Sequence, residues 1–265
     1  MDFPAYADLL VALKDFVLAV RINRPLRKNA LRQETLSELI HLLEAANASD
    51  DVRCVLLSGE GGFFSSGADL KAVGGPSKED KISPIPIDPG GFPKLCLLLE
   101  KMSKPVVAKV VGGALAGGMG LMMACHVCLA ADDAQFGTPE IKRGLWPMMI
   151  MRPIFANLPR KKAVEMIFTG RTIDAVEAER LGIITRAVSA AKLDDEVRAV
   201  TETLAGYSPV IMRLGLEAMT RQFRMSSEEA YPYLEGQLKE CAKTDDFKEG
   251  ILAFAQKRKP VWKGR

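Results

Sequence analysis

Two glycine-bearing loops, each leaving a β-rich apolar run and entering a helix-like one, constrain this chain more than any other feature. The first is Phe63-Phe64-Ser65-Ser66-Gly67-Ala68-Asp69-Leu70-Lys71. The second, about fifty positions later, is Ala114-Leu115-Ala116-Gly117-Gly118-Met119-Gly120. At the start of a helix the first backbone N–H groups have no partner within the helix, and such groups hold negatively charged oxygen. Two donors from separate loops match the requirement of an oxyanion hole. Either loop alone is weak evidence. Gly112 through Gly120 fails the G-x-G-x-x-G spacing and lacks the Lys-Ser/Thr of a phosphate-binding loop, so a nucleotide cofactor has little support. Gly117-Gly118 by itself reads more readily as close helix–strand packing.

The rest of the chain supplies a frame for these loops. Residues 16–22 alternate and end at Asn23-Arg24-Pro25, a strand followed by a turn. Leu36, Leu39, Ile40 and Leu43 fall at i, i+3, i+4, i+7, the stripe of an amphipathic helix. Strands are expected over 52–57, 106–111, 127–131 and 183–188, with short helices over 94–102, 161–168 and 174–181. Residues 74–93 hold five prolines and read as an irregular loop, either a lid over the site or a tolerated insertion. Four further helices are expected over 193–205, 209–222, 226–239 and 245–257. This order indicates an α/β core over residues 1–195 and a helical region over 196–265.

The 265 residues are 48% hydrophobic and 26% charged, with a net charge of +3, which is too mild to argue for nucleic acid or a membrane surface. No formally charged residue lies between Lys109 and Asp132. Glycines interrupt that stretch, so it reads as a buried strand and helix rather than a membrane span. Cys54, Cys96, Cys125, Cys128 and Cys241 sit mostly in apolar runs, as reduced buried thiols do. Cys125-x-x-Cys128 lacks a second ligand pair, so no metal is expected, and His126 reads as a packing residue. The N-terminus has neither a basic segment nor a signal-peptide core, and a cytoplasmic location is expected.

Taken together the motifs resemble the crotonase (enoyl-CoA hydratase/isomerase) superfamily. The resemblance rests on Phe64-Ser65-Ser66-Gly67-Ala68-Asp69-Leu70-Lys71, Lys104-Pro105-Val106-Val107-Ala108, the loop Ala114 to Gly118, and Phe136-Gly137-Thr138-Pro139-Glu140. Asn23-Arg24-Pro25 with Asn29-Ala30-Leu31, and the closing Lys257-Arg258-Lys259-Pro260 with Lys263-Gly264-Arg265, also match. The resemblance implies an α/β fold, a spiral of strand-strand-helix (ββα) turns, with a C-terminal helical region that builds a homotrimer or a hexamer of two trimers. It implies an acyl-CoA thioester substrate, with coenzyme A entering as part of that substrate and no other cofactor. The family's oxyanion donors fall on the backbone N–H groups of Ala68 and Gly117. Contacts to coenzyme A and substrate are implied for Ser66, Asp69, Leu70, Ala30, Gly118 and Pro139. Arg27, Lys28 and Lys71 are candidates for its phosphates, and Lys257 for those of a neighbouring subunit.

The chain departs from the hydratase pattern at one carboxylate. Hydratases of the family use two glutamates; one corresponds to Glu140, and the other position is held by Gly120. Adding water across a double bond needs a base for the water and a proton donor at carbon 2. A single carboxylate is enough to move a proton between two carbons of one substrate, so the expectation tilts to Δ3,Δ2-enoyl-CoA isomerisation with Glu140 as acid/base. A single-glutamate hydratase or dehydratase, and a non-catalytic acyl-CoA binder, are the alternatives. Trp146 to Met151 reads as a reshaped acyl pocket or as core packing. A serine hydrolase using Ser65 or Ser66 has weak support, since no G-x-S-x-G occurs and only His41 and His126 are present as bases.

Overall fold

In the computed structural model, residues 3–70 and 80–265 are described. The first layer starts where the chain can pair locally. Strands β1 (Leu9–Lys14) and β2 (Val17–Ile22) form an antiparallel hairpin in which Lys14 faces Val17. Only Asp15 and Phe16 lie between them, both at positive φ (49° and 65°), as a two-residue hairpin turn of matching twist requires. Arg53 stacks on the exposed Phe16 ring at 4.0 Å and its amide donates to the Phe16 carbonyl.

From β2 onward the sheet is parallel: β3 (Cys54–Gly59), β4 (Val106–Val110), β6 (Val127–Ala131) and β9 (Arg186–Val188) follow in the order β1-β2-β3-β4-β6-β9. Parallel strands need covered faces, which is why β3 opens on Cys54-Val55-Leu56-Leu57 and β4 on Val106-Val107-Ala108, apolar runs rather than alternating ones. One face receives α1 (Gln33–Ala48), whose stripe Leu36, Leu39, Ile40 and Leu43 is buried, and α2 (Gly91–Glu100) beside it. The other receives α7 (Leu193–Ala205), with Leu193 and Val197 packed on Leu129 and Ala131.

A second sheet, β5 (Gly113–Leu115), β7 (Gln135–Gly137) and β8 (Thr172–Asp174), lies beside α3 (Gly117–Met123). The uncharged stretch after Lys109 thus becomes β5, α3 and β6 after the end of β4. Helices α4 (Met151–Asn157), α5 (Arg160–Thr169) and α6 (Ala175–Arg180) follow. Asp174 caps α6 by accepting from the Glu177 amide at 2.8 Å. The last part is α8 (Pro209–Gln222), α9 (Ser227–Lys243) and α10 (Asp245–Ala255). The buried Asp246 accepts from Ser208 and from the amides of Lys263 and Gly264, which fastens the tail to the start of α8. Paired strands followed by helices, in repeated turns, make this the mixed α/β spiral expected.

Several sequence expectations change, three of them near the site or the sheet. The helix expected over 94–102 begins at Gly91, three residues earlier, so the irregular segment among the described residues ends at Gly90. Trp146 to Met151 leads into α4, which the sequence did not indicate. The strand expected over 183–188 shortens to 186–188.

Candidate active site

The two loops meet. Ser65 pairs with Ala114 and Ala68 with Leu31 as isolated parallel bridges. Around Ala68, the Leu31 amide donates to the Gly67 carbonyl (2.8 Å) and the Asp69 amide to the Leu31 carbonyl (3.0 Å). These bonds straddle Ala68 and leave its own N–H on the opposite edge, the usual alternation of a parallel ladder. Its amide is therefore freed by a strand edge, whereas the sequence suggested a helix start. In the second loop the Ala116 amide is taken by the Gly137 carbonyl at 2.9 Å, and Gly117 opens α3. Among the described residues neither the Ala68 nor the Gly117 amide donates to any acceptor.

The loops touch closely enough to exclude a side chain at Gly67 and to bring Gly117 within van der Waals contact of Ala68. A Cβ at Gly67 (φ +90°) would stand 2.8 Å from the Gly117 nitrogen, and one at Gly117 would stand 3.6 Å from the Ala68 nitrogen. Ala116, between them, holds φ 52°, ψ −131°, a region costly for an L-residue. Strain of about 1–3 kcal/mol at such a position persists only where surrounding structure enforces it. Here the β5–β7 pairing and the turn into α3 enforce it.

A buried ion network holds the first loop in place. Arg24, with its side chain 5% exposed, reaches Asp69 at 2.8 Å and Asp80 at 2.8 Å, and donates to the Ala30 carbonyl. Arg32 makes a two-pronged contact with Asp8 (2.8 and 2.9 Å). Removing one partner of a buried pair leaves uncompensated charge at a cost of about 3–5 kcal/mol. Arg24→Gln is therefore expected to lower unfolding free energy by that order in urea titrations. A loss below about 1 kcal/mol, the range of exposed pairs, would show that Arg24 does not act as a buried cation.

Glu140 lies on a short 3-10 helix, Pro139–Arg143, rather than on an open loop. Its Oε2 is buried and takes no hydrogen bond among the described residues, and no ion pair with Lys142 or Arg143 is present. Burial pushes its carboxyl above the usual value of 4.5, against smaller opposing effects from its own backbone N–H and from Arg143. Buried carboxyls shift this way because the charged form loses solvation. A carboxyl with one oxygen unpartnered and a raised pKa in a cleft is what a general base requires.

These groups line one cleft of about 440 Å³, with Arg27, Lys28, Ser66, Asp69 and Leu70 towards the first loop, and Pro139, Glu140, Arg143 and Leu145 towards the 3-10 helix. Not all sequence candidates join it. Ala30 is buried and gives its carbonyl to Arg24, and the Asp69 carboxylate turns inward to the same arginine. Gly118 is a packing glycine: a Cβ there would sit 2.3 Å from the Ser65 carbonyl oxygen. Lys257 is exposed just beyond α10, outside the cleft. Lys71 falls outside the described residues. Lys28 lies over the Phe63 ring at 5.5 Å, which leaves it close to the cleft. Leu26 and Leu145 line the cleft without having been singled out, and only the fold brings them there.

Other chemistries find no geometry. The Ser65 and Ser66 hydroxyls donate to the carbonyls of Asn29 and Arg27. His41 pairs with Tyr6, and His126 accepts the Val106 amide at 3.0 Å, so neither serine has a histidine as base. Burial raises the thiols of Cys54, Cys96 and Cys125 to about 12, which makes them poor nucleophiles.

Fold and cleft together define a class: a spiral of paired strands and helices with one cleft lined by Ala68, Gly117 and Glu140. The family model described as enoyl-CoA hydratase/isomerase matches residues 13–265. The chain is 33% identical over 261 residues to a probable enoyl-CoA hydratase, echA8, of Mycobacterium bovis, covering 98% of this chain and 99% of that one. It is 36% identical over 256 residues to the carnitinyl-CoA dehydratase of Escherichia coli K12, covering 94% and 95%. Among solved structures, an enoyl-CoA hydratase from Mycobacterium smegmatis superposes with a TM-score of 0.87 at 28% identity, covering 96% of this chain and 98% of that one. The chain belongs to the enoyl-CoA hydratase/isomerase family, as an enzyme of acyl-CoA thioesters.

Proposed function

We propose that this protein isomerises enoyl-CoA thioesters, moving a proton from carbon 2 of a 3-enoyl group to carbon 4. Glu140 takes the carbon 2 proton. The electron pair left behind delocalises into the thioester carbonyl, whose oxygen gains charge and is held by the amides of Ala68 and Gly117. Each such donor contributes about 3 kcal/mol in comparable sites. Glu140 then returns the proton at carbon 4, leaving the double bond between carbons 2 and 3. Atoms balance with no water consumed. Arg27 and Lys28 supply positive charge for the coenzyme A phosphates.

The observation that carries this reading is what stands at Gly120. A Cβ there would lie 2.2 Å from Ile150 Cγ2 and 3.4 Å from the Phe92 ring. An apolar wall therefore takes the side where a second carboxylate and its water would sit. Gly120→Glu alone is expected to destabilise the protein by about 1–3 kcal/mol through overpacking, measured by urea denaturation. Unchanged stability would contradict the packing of Ile150 on Gly120. Gly120→Glu/Ile150→Gly removes both Ile150 atoms that meet the new Cβ, Cγ2 at 2.2 Å and Cβ at 2.9 Å, and is expected to acquire hydration product.

A second reading, single-glutamate hydration or dehydration, is favoured by the hydratase and dehydratase names of relatives at 33–36% identity. Product analysis in heavy water separates the two. Deuterium in the product without an added hydroxyl supports isomerisation; an added hydroxyl overturns it. Exposed Phe223, Tyr231, Leu238 and Phe254 on or beside the last three helices support a homotrimer, or a hexamer of two trimers, which light scattering would report as a mass.

A further inference from the structure

The wall at Gly120 has a second side. Behind it lies an apolar chamber of about 430 Å³ between α2, the end of α3, α4 and α8, lined in large part by Phe92, Cys96, Leu97, Met123, Ala124 and Phe223, and open to solvent on the side where Leu97 and Phe223 are exposed. Its charged lining is confined to Glu100, Arg152 and Arg224. Phe92 belongs to this lining, and its ring edge also faces the start of α3. Its Cε2 is 3.9 Å from the Cβ position of Gly117, and its Cζ is 3.4 Å from that of Gly120. Ile150 closes the remaining gap at Gly120, and its neighbour Met149 again lines the chamber. One phenyl ring and one isoleucine thus stand between an oxyanion donor and a large apolar space.

We propose that Phe92 sets the acyl-chain length this site accepts, by closing off a chamber that would otherwise receive the distal carbons of a longer chain. The inference rests on the acyl-CoA reading above and names the substrate class: thioesters of short acyl chains. Geometry gives the direction. A thioester whose oxygen lies at the Gly117 amide has its acyl carbons beside the first turn of α3. A chain that continues along that turn meets the Phe92 ring. The half-buried ring stands at the second position of α2 and also packs against the main core, so truncating it costs some core packing as well as opening the wall.

The test is equilibrium binding of saturated acyl-CoA esters from butanoyl to dodecanoyl, which needs no turnover. Native protein is expected to bind butanoyl-CoA better than decanoyl-CoA. In Phe92→Ala the decanoyl-to-butanoyl affinity ratio should rise by at least about tenfold, since each methylene buried contributes a factor of about four. Phe92→Leu should move the ratio the same way by less, and serves as the reading if the alanine variant does not fold. Phe92→Ala/Ala124→Leu refills the chamber and should cancel the gain. The proposal is overturned if native affinity already climbs with chain length, or if both Phe92 variants keep the native profile. A native protein that binds none of the esters fails at the acyl-CoA reading itself, a result distinct from an unchanged chain-length profile.

Discussion

Glu140→Gln is expected to lower turnover by about 10²–10⁴-fold, the usual contribution of a positioned general base, while leaving acyl-CoA binding intact. Glutamine keeps the volume and shape of the side chain but cannot accept the carbon 2 proton. The pH dependence follows from the same group. Burial raises its carboxyl above 4.5, so the acid limb of the native kcat/KM profile should fall at a higher pH than an ordinary glutamate gives, and vanish in the variant. Stability moves the other way. A carboxyl raised in the folded state favours its protonated form, so its stabilising contribution is complete below the unfolded pKa and lost as pH rises through the folded one. At neutral pH the native protein carries the cost of a buried charge. Glu140→Gln should therefore melt higher than native at pH 7, with the difference shrinking towards pH 4. A variant that binds acyl-CoA and turns over at the native rate would remove Glu140 from the mechanism and favour another base.

Much of this site is legible in sequence because its parts are local. The Gly67-Ala68 and Gly117-Gly118 loops announce themselves by small residues between an apolar strand and a helical run, and Glu140 by the breakers Gly137 and Pro139 around it. What stays hidden is set by tertiary contact. Strand β1 escapes notice because Leu9 to Lys14 barely alternates in polarity and its turn is Asp15-Phe16, without the glycine that usually marks a two-residue hairpin. The role of Arg24 cannot be read from Asn23-Arg24-Pro25. It depends on Asp69, forty-five positions away, and on Asp80 closing on the same guanidinium. Nor does the absence of a side chain at Gly120 say what fills the space. Ile150 arrives from thirty residues later, on the approach to α4. The sequence identifies the missing carboxylate, whereas only the fold shows an apolar wall in its place.

Ala68→Pro is expected to remove one oxyanion donor while leaving the fold in place, lowering kcat by at least about 10²–10³-fold. Proline has no N–H, and the bonds that fix this segment do not use that of Ala68. The Leu31 amide reaches the Gly67 carbonyl and the Asp69 amide reaches the Leu31 carbonyl, and both survive the substitution. The residue before it is Gly67 at φ +90°. Glycine relieves part of the crowding that a proline imposes on its predecessor because it has no Cβ. Arg24 continues to grip Asp69 on the other side. The melting temperature should therefore stay near native while the rate collapses. Ala68→Gly keeps the amide and should retain most of the turnover. KM should rise as well, because the proline Cδ stands where the amide hydrogen was and crowds the thioester oxygen. If folded Ala68→Pro turns over like the native protein, the oxygen does not bind where the two loops meet, and the cleft acts by some other means.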